Sequence, residues 1–436
     1  MFLAKILEKI ATTQIRAYLN KFSLFPKMQS AYRHYHSTET TLVKVFSDVL
    51  LALDKGQEAV LVLLDFSAAF ECIDHSTMTN RFQTYYGISG TVLKWLVSYL
   101  ENRKQQISIN GTLSAEFPLP WGVPQGSVLG PLLYILYTGP LCDIISSHSD
   151  IRYAIYADDT QLYITMSPND HSISLQKLSD CVKDIMTWST SNNLKLNQSK
   201  TEVVHITSKF RRSYDLPSLD ISEVKVHTSD NVRDLGVIID SKFDMKQHIK
   251  NTCRAASFGI SKIGKIRKYL DMPSTERLIH AFVTSHLDYC NSLYFGLPSS
   301  TLSPLQHIQN TAARLVTRSR KCEHVTPILQ SLHWLPVTER IKFKILLLVF
   351  KIRHDCAPTY LSNLLHSVNP SRNLRSNKQA HLQYAPGPRT YTRYGDRAFS
   401  AAAPKLWNSL PFHIRNATSI DSFKSKLKQF LFNPHN

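Results

Sequence analysis

Residues 59–66, AVLVLLDF, set six consecutive apolar side chains ahead of one carboxylate, Asp65. A run without polar alternation reads as a strand buried on both faces, and it stops where the charge begins. Further along, YADDTQLY (156–163) puts two adjacent aspartates between apolar runs that read as a hairpin. Aspartate is a poor strand former and neighbouring like charges repel, so either site alone is an ordinary turn or strand end. Delivered by neighbouring strands to one point, Asp65, Asp158 and Asp159 would repel severely unless divalent cations lay between them. Hard cations take oxygen ligands and keep positions for substrate phosphates, which suits phosphoryl transfer.

The surrounding pattern is mixed at first and helical later. Leu42, Val45, Phe46, Val49, Leu50 and Leu53 recur at helical spacing, with Ser37 or Thr38 placed to cap and Gly56 to end the helix. A helix is expected around 91–101 and another over 171–190. Alternation about Asn110-Gly111 marks a hairpin, and VVHITS and VRDLGVIID read as further strands. Beyond about residue 242 amphipathic helices dominate. Residues 366–396 read as a loosely ordered linker, and SIDSFKSKLKQFLF as a closing basic helix. At 436 residues and 43% hydrophobic, the chain can bury a substantial core in two or three domains.

Charge is distributed unevenly. The net charge is +18, and residues 301–436 hold 20 basic and 5 acidic side chains, so fifteen of those charges sit in the last third. Such a surface suits a polyanionic partner, nucleic acid being favoured by the tyrosines and tryptophan interleaved in RTYTRYGDRAF and KLWNSLPFHIR. Seven single cysteines without a C-x-x-C pair fit a reducing compartment rather than a disulfide framework or zinc site. MFLAKILEKI reads as an amphipathic helix, its charges breaking the core a secretory signal needs, and no run is long enough for a membrane span.

VLLDFSAAF, GVPQGSVLGPLLY, YADD, LKLNQSKTE and VRDLGVIID, in that order and spacing, resemble the successive palm motifs of a reverse transcriptase of the non-LTR retrotransposon (LINE) class, Jockey and chicken-repeat type. SHLDYCNSLYFGLP, LQHIQNTAARLVT and LHWLPVTERIKFK are similar to the region beyond the polymerase in those elements. The resemblance implies an α+β right-hand polymerase fold: partial fingers at 1–58, an antiparallel-sheet palm with packed helices at 59–241, a helical thumb at 242–324 and a basic, mainly helical extension at 325–436. It implies two Mg²⁺ ions, with Mn²⁺ able to substitute, held by Asp65, Asp158 and Asp159 with the Phe66 carbonyl. The implied partners are an RNA template, a DNA primer and dNTPs, with no membrane, in the nucleus or cytoplasm and not secreted.

Residue by residue, the resemblance makes Arg33 a triphosphate grip, Phe70 the ring beneath the sugar, and Gln125 with Gly126 the loop beside the incoming nucleotide. Lys200 would serve the leaving pyrophosphate, and Leu235-Gly236 the primer grip. On chemistry alone, Phe70 reads equally as a core ring, Gln125 as a solvated loop residue and Lys200 as a surface lysine. The chain departs from the family pattern at Glu71, where Asp is usual, and at Ala31, His34 and Tyr35 around the fingers arginine. With the first fingers motif reduced to FLAKILEK, a 5′-truncated copy is expected. An inactive remnant that only binds nucleic acid is the alternative function.

Overall fold

The structure is a computed structural model that describes residues 2–67, 70–211, 219–221, 224–368 and 384–432. The chain forms two compact units, one of residues 1–34, 60–205 and 214–229, the other of 35–59, 206–213 and 230–436.

The first unit is built on a four-stranded sheet. Its strands in chain order are β1 (Glu58–Leu64), β2 (Arg152–Tyr156), β3 (Asp159–Met166) and β4 (Glu202–Ile206), and their order across the sheet is β4-β1-β3-β2. Strands β2 and β3 form the expected antiparallel hairpin, with Tyr156 opposite Asp159 and Arg152 opposite Tyr163. The apolar run of 59–64 occupies an interior position, between β4 and β3, and side chains on both of its faces are buried: Val60, Val62 and Leu64 on one, Ala59 and Leu61 on the other. The core cluster joins Val60, Val62 and Leu64 to Leu132, Leu133 and Leu136 of the helix Gly130–Thr138 and to Leu178, Val182 and Ile185 of the helix His171–Ser191.

The N-terminal helix Phe2–Lys21 forms as its pattern suggests, but not on the face the pattern marks. Leu3, Ile6, Leu7 and Ile10 stay exposed, while Glu8, Thr12, Ile15 and Leu19 make the buried stripe. Glu8 explains the rotation. Its Oε2 accepts the backbone N–H groups of Val128 (2.6 Å) and Leu129 (3.1 Å), which lead into the helix Gly130–Thr138. A carboxylate there satisfies orphan donors and faces the positive helix end. The Asn110-Gly111 hairpin is present, with Ser108–Ile109 paired to Thr112–Leu113 and both turn residues at positive φ, as a tight primed turn demands.

Among its described residues the second unit is mainly helical and carries the hairpin Asn231–Asp234/Val237–Asp240. Its first helix, Thr38–Asp54, starts at a Ser37 cap reciprocated by Thr40. The closing helix Ile420–Phe432 buries Phe423, which stacks on Phe350 at 4.3 Å and lies 5.7 Å from Trp407. Of the stretch read as a loose linker, 369–383 lies outside the described residues, and the rest is pinned. Ser367 bridges to Tyr384, and the backbone N–H groups of Tyr391 and Thr392 donate to the buried Asp54 carboxylate. A buried carboxylate needs such donors, and the 391–392 turn supplies them. The seven cysteines are all free, and no helix among the described residues is long and apolar enough to cross a membrane.

Replacing Glu8 by Ala should cost about 1–2 kcal/mol, because two capped N–H groups lose their acceptor. Thermal melting would register this as a drop in Tm that Glu8→Gln, which keeps an acceptor oxygen, largely avoids.

Candidate active site

Asp65 follows the last residue of β1, and Asp159 is the first residue of β3, its neighbour. Asp158 precedes Asp159 in the β2–β3 turn. Burial pushes its pKa up, and the Asp65 charge adds to that against a partly opposing Lys200. The Asp159 carboxyl is raised to about 6, by burial first and then by Asp158 and Asp65. Each of the two hairpin carboxylates thus feels the charge of Asp65, which follows the end of the adjacent interior strand.

The tight hairpin turn is held from outside. Ala157 has φ 59°, a left-handed conformation unfavourable for alanine. Gln29, 2% exposed, accepts the Ala157 N–H at 3.0 Å and donates to the Ala157 carbonyl at 3.1 Å. Backbone bonds from Ser30 N to the Ile155 carbonyl and from Ile155 N to the Met28 carbonyl complete the stitch. Gln29 lies in the QSAYR motif, but no local pattern marks it for a role; only the fold reveals it.

Lys200 also arrives by backbone pairing. Phe66 pairs with Leu196 and Ser67 with Lys195, and Asn197 N donates to the Asp65 carbonyl at 2.8 Å. The Lys200 Nζ then stands 3.2 Å from Asp65 Oδ2. At 67% exposure that ion pair is weak. Oδ2 itself is buried and accepts no hydrogen bond. Phe66 is buried beside these groups in the chain.

Phe70 is half-buried and stacks on Tyr134, with centroids 4.6 Å apart and planes 24° apart. Tyr134 is itself fully buried, its hydroxyl pushed up by burial and then by Asp158. The Phe70 carbonyl accepts from Val123 N, so the residues after Asp65 are zipped to the loop that carries Gln125. The exposed Gln125 donates its Nε2 to Glu71 Oε1 at 3.0 Å, so the residue that departs from the family pattern is the one orienting the glutamine. Gly126 has φ +74° with open space where a Cβ would be, so its backbone conformation, not crowding, calls for glycine.

Arg33 is placed otherwise than as a free phosphate grip. Its Nη1 donates to the carbonyls of Pro26 (2.8 Å) and Gln29 (2.9 Å), and the guanidinium lies over Phe25. It therefore braces the loop that holds Ala157. Leu235 and Gly236 belong to the second unit, where they form the turn of its hairpin at positive φ; the Tyr289 hydroxyl donates to the Leu235 carbonyl at 2.6 Å.

A family model described as reverse transcriptase (RNA-dependent DNA polymerase) matches residues 1–239. The chain belongs to the reverse transcriptase family. Among curated relatives it is 26% identical over 326 residues to the probable RNA-directed DNA polymerase from transposon X-element of Drosophila melanogaster, covering 72% of this chain and 34% of that protein. It is 25% identical over 342 residues to the RNA-directed DNA polymerase from mobile element jockey of Drosophila funebris, covering 74% and 36%. The chain thus spans about a third of the length of the curated relatives it matches. Among solved structures, apo telomerase from Candida tropicalis overlays with a TM-score of 0.42 at 11% identity, over 77% of this chain and 55% of that one.

Reverse transcriptases as a family imply divalent metal, and the donor set can be tested for it. Among the described residues no three His, Cys, Asp or Glu side chains converge closely enough to hold one ion. The chemistry nevertheless fits: all-oxygen donors suited to a hard cation, a buried Asp65 oxygen without a hydrogen bond, and a mutual repulsion that a cation would reverse.

That repulsion has a pH signature. Because the folded-state pKa of Asp159 is raised, protonation favours the folded form: the benefit is complete below about pH 4 and lost as pH rises through about 6. In EDTA, Asp159→Asn should raise Tm at pH 7, a gain worth no more than about 1 kcal/mol because this partly desolvated carboxylate still reaches solvent, and leave Tm unchanged at pH 4. A variant whose melting tracks the unsubstituted protein at every pH would show that the carboxylates are not in conflict.

Proposed function

We propose that the chain is an RNA-directed DNA polymerase of a non-LTR retrotransposon, adding dNTPs to a primer 3′-hydroxyl on an RNA template. What supports this reading is the family match over residues 1–239, together with the Asp158 and Asp159 carboxyls, which burial and the Asp65 charge push up. In this reading the palm spans 59–241, the fingers portion 1–58, the thumb 242–324 and the basic extension 325–436. Asp65, Asp158 and Asp159, with the Phe66 carbonyl, would hold two Mg²⁺ ions. When bound, such ions acidify the attacking hydroxyl and neutralise charge on the phosphates.

The rest is the work of side chains. The Phe70 ring, fixed flat by Tyr134, makes a rigid wall that a 2′-hydroxyl would meet, which selects deoxynucleotides. Gln125, oriented by Glu71, packs beside the incoming nucleotide over the Gly126 backbone. The primer hydroxyl attacks the α-phosphate and expels pyrophosphate; the Lys200 ammonium, drawn to this edge by Asp65, neutralises or protonates the departing oxygen at Nζ. Leu235-Gly236 would contact the primer strand. Arg33 acts here through the loop it braces, with its contact to triphosphate requiring that loop to open.

Primer extension on an RNA template tests the reading. Asp158→Ala should lower the rate by roughly 10³-fold, several kcal/mol of transition-state stabilisation; extension equally absent from the unsubstituted protein would favour the inactive, nucleic-acid-binding remnant. Phe70→Val should leave dNTP use within about tenfold while raising the ribonucleotide share of kcat/KM by a factor of ten or more. Unchanged discrimination would return Phe70 to the role of a core ring.

A further inference from the structure

The second unit contains a cleft of about 1540 Å³, lined by Lys209 and Phe210, the start of the helix Lys246–Ile266, the turn near Phe295 and residues from 386 to 409. Five cationic side chains line it, Lys209, Lys246, Arg393, Arg397 and Lys405, against two carboxylates, Asp244 and Asp396. Asp244 is paired with Lys246 at 2.8 Å, and Asp396 accepts from the Thr390 hydroxyl at 2.8 Å, so both are engaged. Phe210 and Tyr391 are 82% and 69% exposed in this basic cleft, each with a cation over one face, Lys209 5.0 Å from the Phe210 centroid and Arg389 5.6 Å from that of Tyr391, which leaves the opposite face of each ring for a base.

The cleft is a constructed one. Asp54, 7% exposed, accepts the Thr392 N–H at 2.6 Å and its hydroxyl at 2.8 Å, and a Cβ on Gly395 would stand 2.5 Å from the Asp54 carboxylate carbon. Only glycine lets the loop close over that carboxylate, and the closure fixes where Tyr391 and Arg393 stand. The Tyr394 hydroxyl accepts from Lys209 N at 3.0 Å and donates to the Lys242 carbonyl at 3.2 Å, fastening the 209–210 segment to the same loop. Arg397 donates Nη1 to the Phe243 carbonyl at 3.0 Å, while its buried Nε and Nη2 have no acceptor. Leaving two buried guanidinium donors idle is costly, and an anion in the cleft would satisfy them.

The geometry points to a second nucleic-acid site here, one that binds a single strand by its phosphates at Arg393, Arg397, Lys209 and Lys405 and stacks unpaired bases on Tyr391 and Phe210. Exposed rings favour a single strand over a duplex, whose bases have no free faces. The site rests on the polymerase reading for its partner and deepens it, by naming where a strand is held apart from the carboxylates.

Fluorescence anisotropy with labelled oligo-uridine and oligo-thymidine of equal length, across a salt series, tests it. The exposed pair Arg393→Gln/Lys405→Gln should weaken binding and reduce the magnitude of the salt slope by about 1.4, roughly 0.7 per lost cation. Tyr391→Ala should weaken binding by about tenfold, the worth of one stacked base. A control pair of equal charge loss in the first unit, Lys94→Gln/Lys183→Gln, should change binding least. A loss for the test pair beyond the control pair in either oligonucleotide arm supports the site; equal behaviour of test and control pairs in both arms overturns it. Asp158→Ala, which tests the polymerase reading by extension, should leave this binding intact, so the two claims fail separately.

Discussion

Like charges carried by adjacent interior strands, Asp65 after β1 and Asp158-Asp159 at the start of β3, are the constraint on which the rest of the first unit depends. Burial first and the Asp65 charge next push up the carboxyls of Asp158 and Asp159, with Asp158 adding to Asp159, a cost that the surrounding packing must outweigh. The packing in question is the apolar run 59–64 of β1, buried on both faces, whose end cannot shift without exposing the core. Conflict of this kind, stored at a cluster by an otherwise consistent fold, is the mark of a site shaped by chemistry.

Three backbone stitches hold the cluster. Residues 28–30 clasp the β2–β3 turn through Gln29, residues 195–197 zip to 65–67, and the loop before Gln125 closes on Phe70. Each joins segments far apart in the chain, so each motif depends on another for its position. Arg33 shows the consequence: its Nη1 is bonded to two carbonyls of the loop holding Ala157. Glu71 shows another, since its extra methylene relative to aspartate lets it reach Gln125.

Legibility in the sequence followed physical locality. The helix Thr38–Asp54, the buried strand β1, the Asn110-Gly111 turn and the YADD hairpin were all readable because periodicity, caps and turn chemistry act over a few residues. The buried face of Phe2–Lys21 was not, because hydrophobic spacing pointed to Leu3, Leu7 and Ile10 whereas a distant helix start recruited Glu8. The pinned loop near 391 also escaped notice, since its anchor, Asp54, lies more than three hundred positions earlier.

By itself the sequence determined the family and the mixed α+β class of the fold and singled out three carboxylates, because these rest on residue types and short-range spacing. Tertiary structure alone decided which groups those residues meet: that Phe70 leans on Tyr134, that Lys200 reaches Asp65, that Gln29 steadies Ala157 and that Arg397 keeps two donors unsatisfied. Such partners are selected by packing and by the need to satisfy buried polar groups, conditions set by the whole chain at once and written in no single stretch of it.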